Sequence, residues 1–135
     1  MNALTSLYQL AEDRNITVDC FGLKTMPCMS IVDETGAHIA IDPWQLKSES
    51  DELLKLAHEL GHCETGAYYG RYSPFAVRQQ QEERAWRWAC QCLLPLAVLE
   101  EAYQAGYKTY WELAEYLNLP EAFIRKAVEF YRIRT

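Results

Sequence analysis

Residues 56–62 read Leu56-Ala57-His58-Glu59-Leu60-Gly61-His62 and contain the pattern H-E-x-x-H. They continue an apolar repeat of helical period that starts at Leu53. Ser48, with Asp51 three residues later, resembles a capping box, so we predict a helix over about 49–64. Side chains at positions i and i+4 of a helix lie one above the other, so both imidazoles can reach one metal ion.

Glu59 is turned about 100° from His58 by the 3.6-residue period of a helix. Its carboxylate is therefore expected beside a metal ion held by the two histidines, not among the ligands. In that position a carboxylate can take a proton from water and later hand it to a leaving amine. The pattern predicts Zn2+ as the cofactor, His58 and His62 as metal ligands, and Glu59 as the catalytic base of a metalloprotease.

A catalytic zinc ion usually has three protein ligands and one open position, so a third ligand is needed. The metzincin pattern H-E-x-x-H-x-x-G-x-x-H fails, because Thr65 and Tyr68 stand where it requires Gly and His. The remaining histidine, His38, lies in a predicted strand, and we interpret it as structural. The other usual ligand is a glutamate from the following helix, where Glu82 and Glu83 are both available.

Helix phase favours Glu82 over Glu83. Glu82 shares a helical face with Ala85 and Ala89, and such small residues allow close packing, which we expect to be against the H-E-x-x-H helix. Glu83 points about 100° away from that face. We predict Glu82 as the third metal ligand and keep Glu83 as the alternative. A third interpretation treats both as ordinary surface acids near a helix N-terminus.

The remaining segments predict an α+β fold. Strands are expected only near the N-terminus, over 16–20, 28–32 and 37–41, with the last two forming a hairpin. Further helices are expected over 3–14, 77–92, 96–105, about 110–117, and from Pro120 onward. We therefore predict a small, mostly antiparallel sheet packed with helices, a zincin-like H-E-x-x-H helix and a C-terminal helical hairpin. With 135 residues and no linker, we expect one metallopeptidase-like domain over 1–135.

The overall charge argues against several classes of partner. The chain has 13 basic and 19 acidic residues, which disfavours nonspecific nucleic-acid binding and docking on anionic lipid. No apolar run is long enough to span a bilayer, and the first residues lack the pattern of a signal peptide. Five cysteines, an odd number, do not suggest a disulfide framework. We expect a cytoplasmic protein with neither a membrane nor a nucleic acid as partner.

Three segments together resemble the ImmA/IrrE-type metallopeptidases of bacteria and their prophages. These are the H-E-x-x-H stretch, the segment EERAWRWACQCLLP at 82–95, and WELAEY at 111–116 with the helix that follows it. The resemblance covers about residues 50–132. It implies a gluzincin-like zinc endopeptidase, with zinc ligands at His58, His62 and Glu82 and the catalytic glutamate at Glu59.

The resemblance also implies a partner. Relatives cleave or antagonise helix-turn-helix repressors, so the implied substrate is a helix-turn-helix transcriptional repressor of a prophage or mobile element. The alternative is a non-catalytic regulator that binds a repressor or DNA, with a structural or vestigial metal site. The last two predicted helices superficially resemble helix-turn-helix, but residues 107–135 carry five basic and four acidic residues, a weak charge for DNA binding.

Trp86 departs from the family pattern. The family usually has Asn or Asp four residues after the ligand glutamate, where it accepts a hydrogen bond from a ligand histidine. An indole only donates and cannot accept that bond. Either a backbone carbonyl or another side chain orients the histidine here, or zinc binds less tightly.

The loop between the two metal-bearing helices contains Tyr68, Tyr69, Arg71 and Tyr72. Such a loop can supply the group that stabilises an oxyanion opposite the metal. Packing on the domain or loose contact with substrate is the favoured interpretation, so the sequence assigns no tyrosine to catalysis.

Overall fold

The computed structural model describes residues 2–134, with side chains described up to residue 132. Over these residues the order of elements is α1 (Ala3–Asp13), β1 (Thr17–Cys20), β2 (Cys28–Asp33), β3 (Gly36–Ile41), α2 (Glu49–Thr65), α3 (Phe75–Leu93), α4 (Leu96–Gln104), α5 (Tyr110–Leu117) and α6 (Glu121–Arg134). A short 3-10 helix, Pro43–Gln45, precedes α2. The α+β prediction is confirmed, and α3 begins two residues earlier than expected. The chain divides into two compact units, residues 1–89 and residues 90–135, with the boundary inside α3.

The three strands of the first unit form one sheet in the order β1–β3–β2. β2 and β3 form the predicted antiparallel hairpin, whereas β1 runs parallel to β3 with Thr17 opposite His38. The sheet is therefore mixed, where the sequence predicted a mostly antiparallel one. The direction of β1 depends on which edge of the hairpin it joins, and no local pattern in a four-residue strand specifies that edge.

Helix α2 packs against β2, β3 and α1. Helix α2 and the central strand contribute much of the core of the first unit, including Leu53, Leu56, Ala57, Leu60, Ile39 and Ile41. Ser48 caps the start of the helix, since its side chain accepts a hydrogen bond from the Asp51 amide, one of the two bonds of the predicted capping box. The Asp51 carboxylate accepts from the amide of Lys47 and not from that of Ser48. The helix ends at Gly66, which has φ 67°, a left-handed conformation that glycine adopts without steric cost. Both ends of the helix that carries the histidines are thus fixed by local interactions.

The second unit contains the predicted helical hairpin of α5 and α6. Thr109 and Glu112 form the expected capping box at the start of α5. Asn118 ends that helix in the left-handed conformation, with φ 56°. Packing of α4, α5 and α6 buries Leu99, Ala102, Leu113, Phe123, Ile124 and Ala127. Among the residues described, no helix combines the length and the apolar character that crossing a bilayer requires.

Candidate metal centre

Helices α2 and α3 bring His58, His62 and Glu82 together. Glu82 Oε2 lies 2.6 Å from His58 Nε2, and Glu82 Oε1 lies 3.1 Å from His62 Nε2. One ligand atom from each residue lies within 4.8 Å of the others, so the group can hold a metal ion. Two imidazole nitrogens and one carboxylate are donors that suit zinc.

Close contact between the two helices positions Glu82. A Cβ atom built on Gly61 would lie only 2.3 Å from the backbone oxygen of Ala85. Ala85 and Ala89 are both fully buried. The small-residue face of α3 therefore packs against the H-E-x-x-H helix, as the helical phase predicted. Glu82, one turn before Ala85, consequently faces the two histidines.

Two other residues considered from the sequence lie outside this group. Glu83 is exposed to solvent on α3. His38 lies in β3, where its ring nitrogens are 2.7 Å from the Thr17 hydroxyl, 2.8 Å from the Thr35 hydroxyl and 3.0 Å from the Asp33 carboxylate. These bonds tie His38 to the β2–β3 turn and to the neighbouring strand β1, consistent with a structural role.

The two histidines are oriented in different ways. His62 Nδ1 donates to the carbonyl oxygen of Ala67 at 2.5 Å, which leaves its Nε2 directed at Glu82. The left-handed turn at Gly66 brings that carbonyl back beneath α2. The ring of His58 stacks on the indole of Trp86, with ring centroids 4.4 Å apart and an interplanar angle of 18°. Trp86 thus offers the imidazole an aromatic face and not a hydrogen-bond acceptor.

Tyr69 is a further residue of this group that the sequence did not single out. Its hydroxyl donates to Glu82 Oε1 at 2.7 Å. The other two tyrosines of the loop have different surroundings. Burial of the Tyr68 hydroxyl near Cys63 raises its pKa, and Tyr72 is 90% exposed. The three tyrosines differ only in where the loop places them. The amino-acid composition of the loop does not predict that placement.

Hydrogen bonding shifts the pKa values of Glu82 and His62 in opposite directions. Burial acts to raise the pKa of Glu82, but hydrogen bonds from both histidines and Tyr69 outweigh it and hold that pKa well below its usual range. Burial acts to lower the pKa of His62, but its bonds to Glu82 and Ala67 outweigh it and raise that pKa. An ionised carboxylate is the form that binds metal, and a metal ion would compete with the proton on His62.

Glu59 lies beside this group and is only 6% exposed. Its Oε1 accepts a hydrogen bond from the Ser30 hydroxyl at 3.3 Å. Burial raises the pKa of Glu59, and the charges of the two histidines partly oppose that rise. A buried carboxylate whose pKa is raised, and that lies next to three residues able to bind a metal ion, is suited to accepting and donating protons.

These residues line a cleft of about 840 Å³. Its walls come from α2, the first turns of α3, the loop over 66–74, and β2 with the segment before it. β2 lies at the edge of the described sheet and pairs with a neighbouring strand, β3, on one side only. A cleft beside an unpaired strand edge can accommodate an extended peptide.

Residues 29–129 match the sequence model of a family described as Peptidase M78, IrrE N-terminal-like domain. The matched region covers more than half of the 135 residues and includes His58, Glu59, His62 and Glu82. No curated protein and no solved structure matches the chain.

Proposed function

The chain belongs to the Peptidase M78 family, and we propose that it is a zinc-dependent endopeptidase in which His58, His62 and Glu82 hold the metal and Glu59 is the catalytic base. The observation that carries this proposal is the convergence of two imidazole nitrogens and one carboxylate in a cleft, with a second, buried carboxylate beside them. Three protein ligands leave a coordination position open for chemistry.

His58, His62 and Glu82 would hold the zinc ion, which would supply a Lewis acid for the scissile carbonyl and for water. Glu59 takes a proton from the attacking water and later delivers it to the leaving amine. The Ser30 hydroxyl holds Oε1 of Glu59 at the wall of the cleft, so the other carboxylate oxygen is available for the proton. Ala67 and Trp86 keep the histidine rings in the orientation that metal binding requires.

The substrate we propose is a helix-turn-helix repressor of a prophage or mobile element. This substrate is proposed because the chain resembles the ImmA/IrrE-type peptidases, members of which cleave or antagonise such repressors. We place the activity in the cytoplasm, since five cysteines, an odd number, do not suggest a disulfide framework, which suits a reducing compartment.

Incubation with the helix-turn-helix repressor encoded nearest to this gene tests the proposal. Zinc-loaded protein is expected to release repressor fragments that mass spectrometry identifies. A chelator should stop the cleavage and added zinc should restore it. If the repressor is bound and repression is relieved without any fragment, the non-catalytic regulator replaces the endopeptidase.

Zinc content tests the ligand assignment directly. The purified protein is expected to contain about one zinc ion per chain by elemental analysis, since zinc sites of this type bind a single ion. His58→Ala and His62→Ala should lose it, and Glu82→Gln should weaken its retention against a chelator. Glu83→Gln is the matched control, because Glu83 is adjacent but exposed, and it should behave as the wild type. Full zinc occupancy in the His58→Ala/His62→Ala double variant would contradict the assignment.

The stacked indole makes a separate prediction. Trp86→Ala should weaken zinc binding by about 10–100-fold, the range typical for loss of a group that orients a metal-bound histidine. Trp86→Phe retains an aromatic face and should recover most of the affinity. Competition with a zinc-binding dye measures both, and Trp111→Ala, at a 60% exposed position, is the control. Equal zinc affinity of Trp86→Ala and Trp111→Ala would show that the stack does not position His58.

A further inference from the structure

The cleft is lined by basic side chains that the proposed catalytic group does not use. Apart from Glu59 and Glu82, the charged side chains that line the cleft are Lys55, Arg71 and Arg78. The chain as a whole has the opposite balance, with 19 acidic and 13 basic residues. The lining thus carries three basic side chains against two acidic ones, whereas acidic residues outnumber basic ones in the chain as a whole.

The three cations differ in their partners. The ammonium group of Lys55 forms an ion pair with Asp51. Arg71 and Arg78 are exposed, and within the described part of the chain neither guanidinium has a carboxylate at salt-bridge distance. Each guanidinium lies near an aromatic ring, with Arg71 5.8 Å from the centre of the Tyr72 ring and Arg78 6.0 Å from the centre of the Phe75 ring. Two guanidinium groups thus keep their donors free beside the cleft.

The nearest acid along the helix does not neutralise Arg78. Glu82 lies four residues later, a spacing that often gives an ion pair on a helix. Both oxygens of Glu82 are instead bonded to the histidines, and Oε1 also accepts from Tyr69. The carboxylate at ion-pair spacing from Arg78 is therefore already bonded to the two histidines and to Tyr69.

We propose that Arg71 and Arg78 form a carboxylate-binding subsite of the cleft, so that preferred peptides carry a carboxylate close to the scissile bond. A guanidinium group presents a planar fork of donors that matches a carboxylate. The carboxylate can belong to an Asp or Glu side chain or to the free C-terminus of the peptide. This proposal rests on the proposed endopeptidase function and names the chemistry of its substrate.

Peptide binding tests the subsite without requiring turnover. The probes are fluorescent peptides of one length, randomised without Asp or Glu except for a single position fixed as Glu, Gln or Lys, each made with an amidated and with a free C-terminus. Fluorescence anisotropy with zinc-loaded Glu59→Gln protein measures binding. Peptides with a carboxylate should bind about tenfold more tightly than the amidated Gln peptides, equivalent to about 1.4 kcal/mol, and added salt should reduce the difference. Comparison of the fixed-Glu amidated peptides with the fixed-Gln free-acid peptides identifies the source of the carboxylate.

Substitution assigns the preference to the two arginines. The Arg71→Gln/Arg78→Gln double variant should bind the Glu and Gln peptides equally. Arg125→Gln is the matched control, because Arg125 is an exposed arginine of α6 that pairs with Glu121. Equal binding of Glu and Gln peptides by the parent protein, or a preference that survives in the double variant, would overturn the subsite.

Cleavage of the same peptides by wild-type protein separates this proposal from the proposed function. Cleavage without any preference for a carboxylate refutes the subsite and leaves the endopeptidase standing. A carboxylate preference in binding that depends on the two arginines, with no peptide cleaved, supports the subsite and counts against the endopeptidase.

Discussion

Glu59→Gln is expected to lower the rate of repressor cleavage by about 10²–10⁴-fold, the usual contribution of a general base. The amide is nearly the same size as the carboxylate and can still accept a hydrogen bond from Ser30. It cannot take a proton from water at neutral pH. Because Glu59 is buried beside the metal-capable group and not part of it, zinc content should remain at the wild-type level. Single-turnover cleavage followed by mass spectrometry, with elemental analysis of the same samples, measures both quantities.

Glu83, the glutamate adjacent to Glu82 in the sequence, provides the control for this prediction. Glu83→Gln makes the same chemical change at an exposed position and should leave cleavage unaltered. Repressor binding should also survive in Glu59→Gln, since the substitution removes only a proton acceptor. A Glu59→Gln protein that cleaves at the wild-type rate would require another base. Loss of zinc in this variant would instead indicate that Glu59 is a metal ligand.

The sequence predicted those features of the site that depend on local periodicity. The spacing of His58 and His62 fixes their common helical face, and the phase shared by Glu82, Ala85 and Ala89 indicated the glutamate that now faces them. Both inferences need only the 3.6-residue period and the size of a few side chains. The same is true of the helix ends, where the capping residues Ser48 and Thr109 act on amides three residues away.

Features that depend on the path of the backbone were not predictable. The acceptor for His62 is the carbonyl of Ala67, and every residue has a carbonyl, so its identity carries no signal. Tyr69 differs from Tyr68 and Tyr72 only in where the loop places it. The stacking of Trp86 on His58 was not predicted, because an indole cannot accept the hydrogen bond expected at that position. A flat indole one turn after Glu82 can nevertheless cover an imidazole.

Gly61→Ala is the second substitution for which we expect a large effect. It should destabilise the protein, although alanine has a higher helix propensity than glycine. In an exposed helix interior, alanine is more favourable than glycine by about 1 kcal/mol. Here the added methyl group would lie 2.3 Å from the backbone oxygen of Ala85, so α3 must move away from α2. Overpacking of this kind costs about 1–3 kcal/mol, which outweighs the gain in propensity. Because Glu82 lies one turn from Ala85, the same displacement should withdraw the carboxylate from the histidines and lower zinc affinity at least about tenfold, as expected when a ligand loses its supporting contacts.

Gly22→Ala provides the matched control for this substitution. A Cβ atom on Gly22 would meet no atom within 4 Å, so this variant should keep both the stability and the zinc affinity of the wild type. Denaturant unfolding of the two variants, with and without zinc, separates the packing cost from the loss of ligand. If zinc stabilises Gly61→Ala as much as it stabilises the wild type, Glu82 has not been displaced. In that case the contact between Gly61 and Ala85 does not set the position of the third ligand.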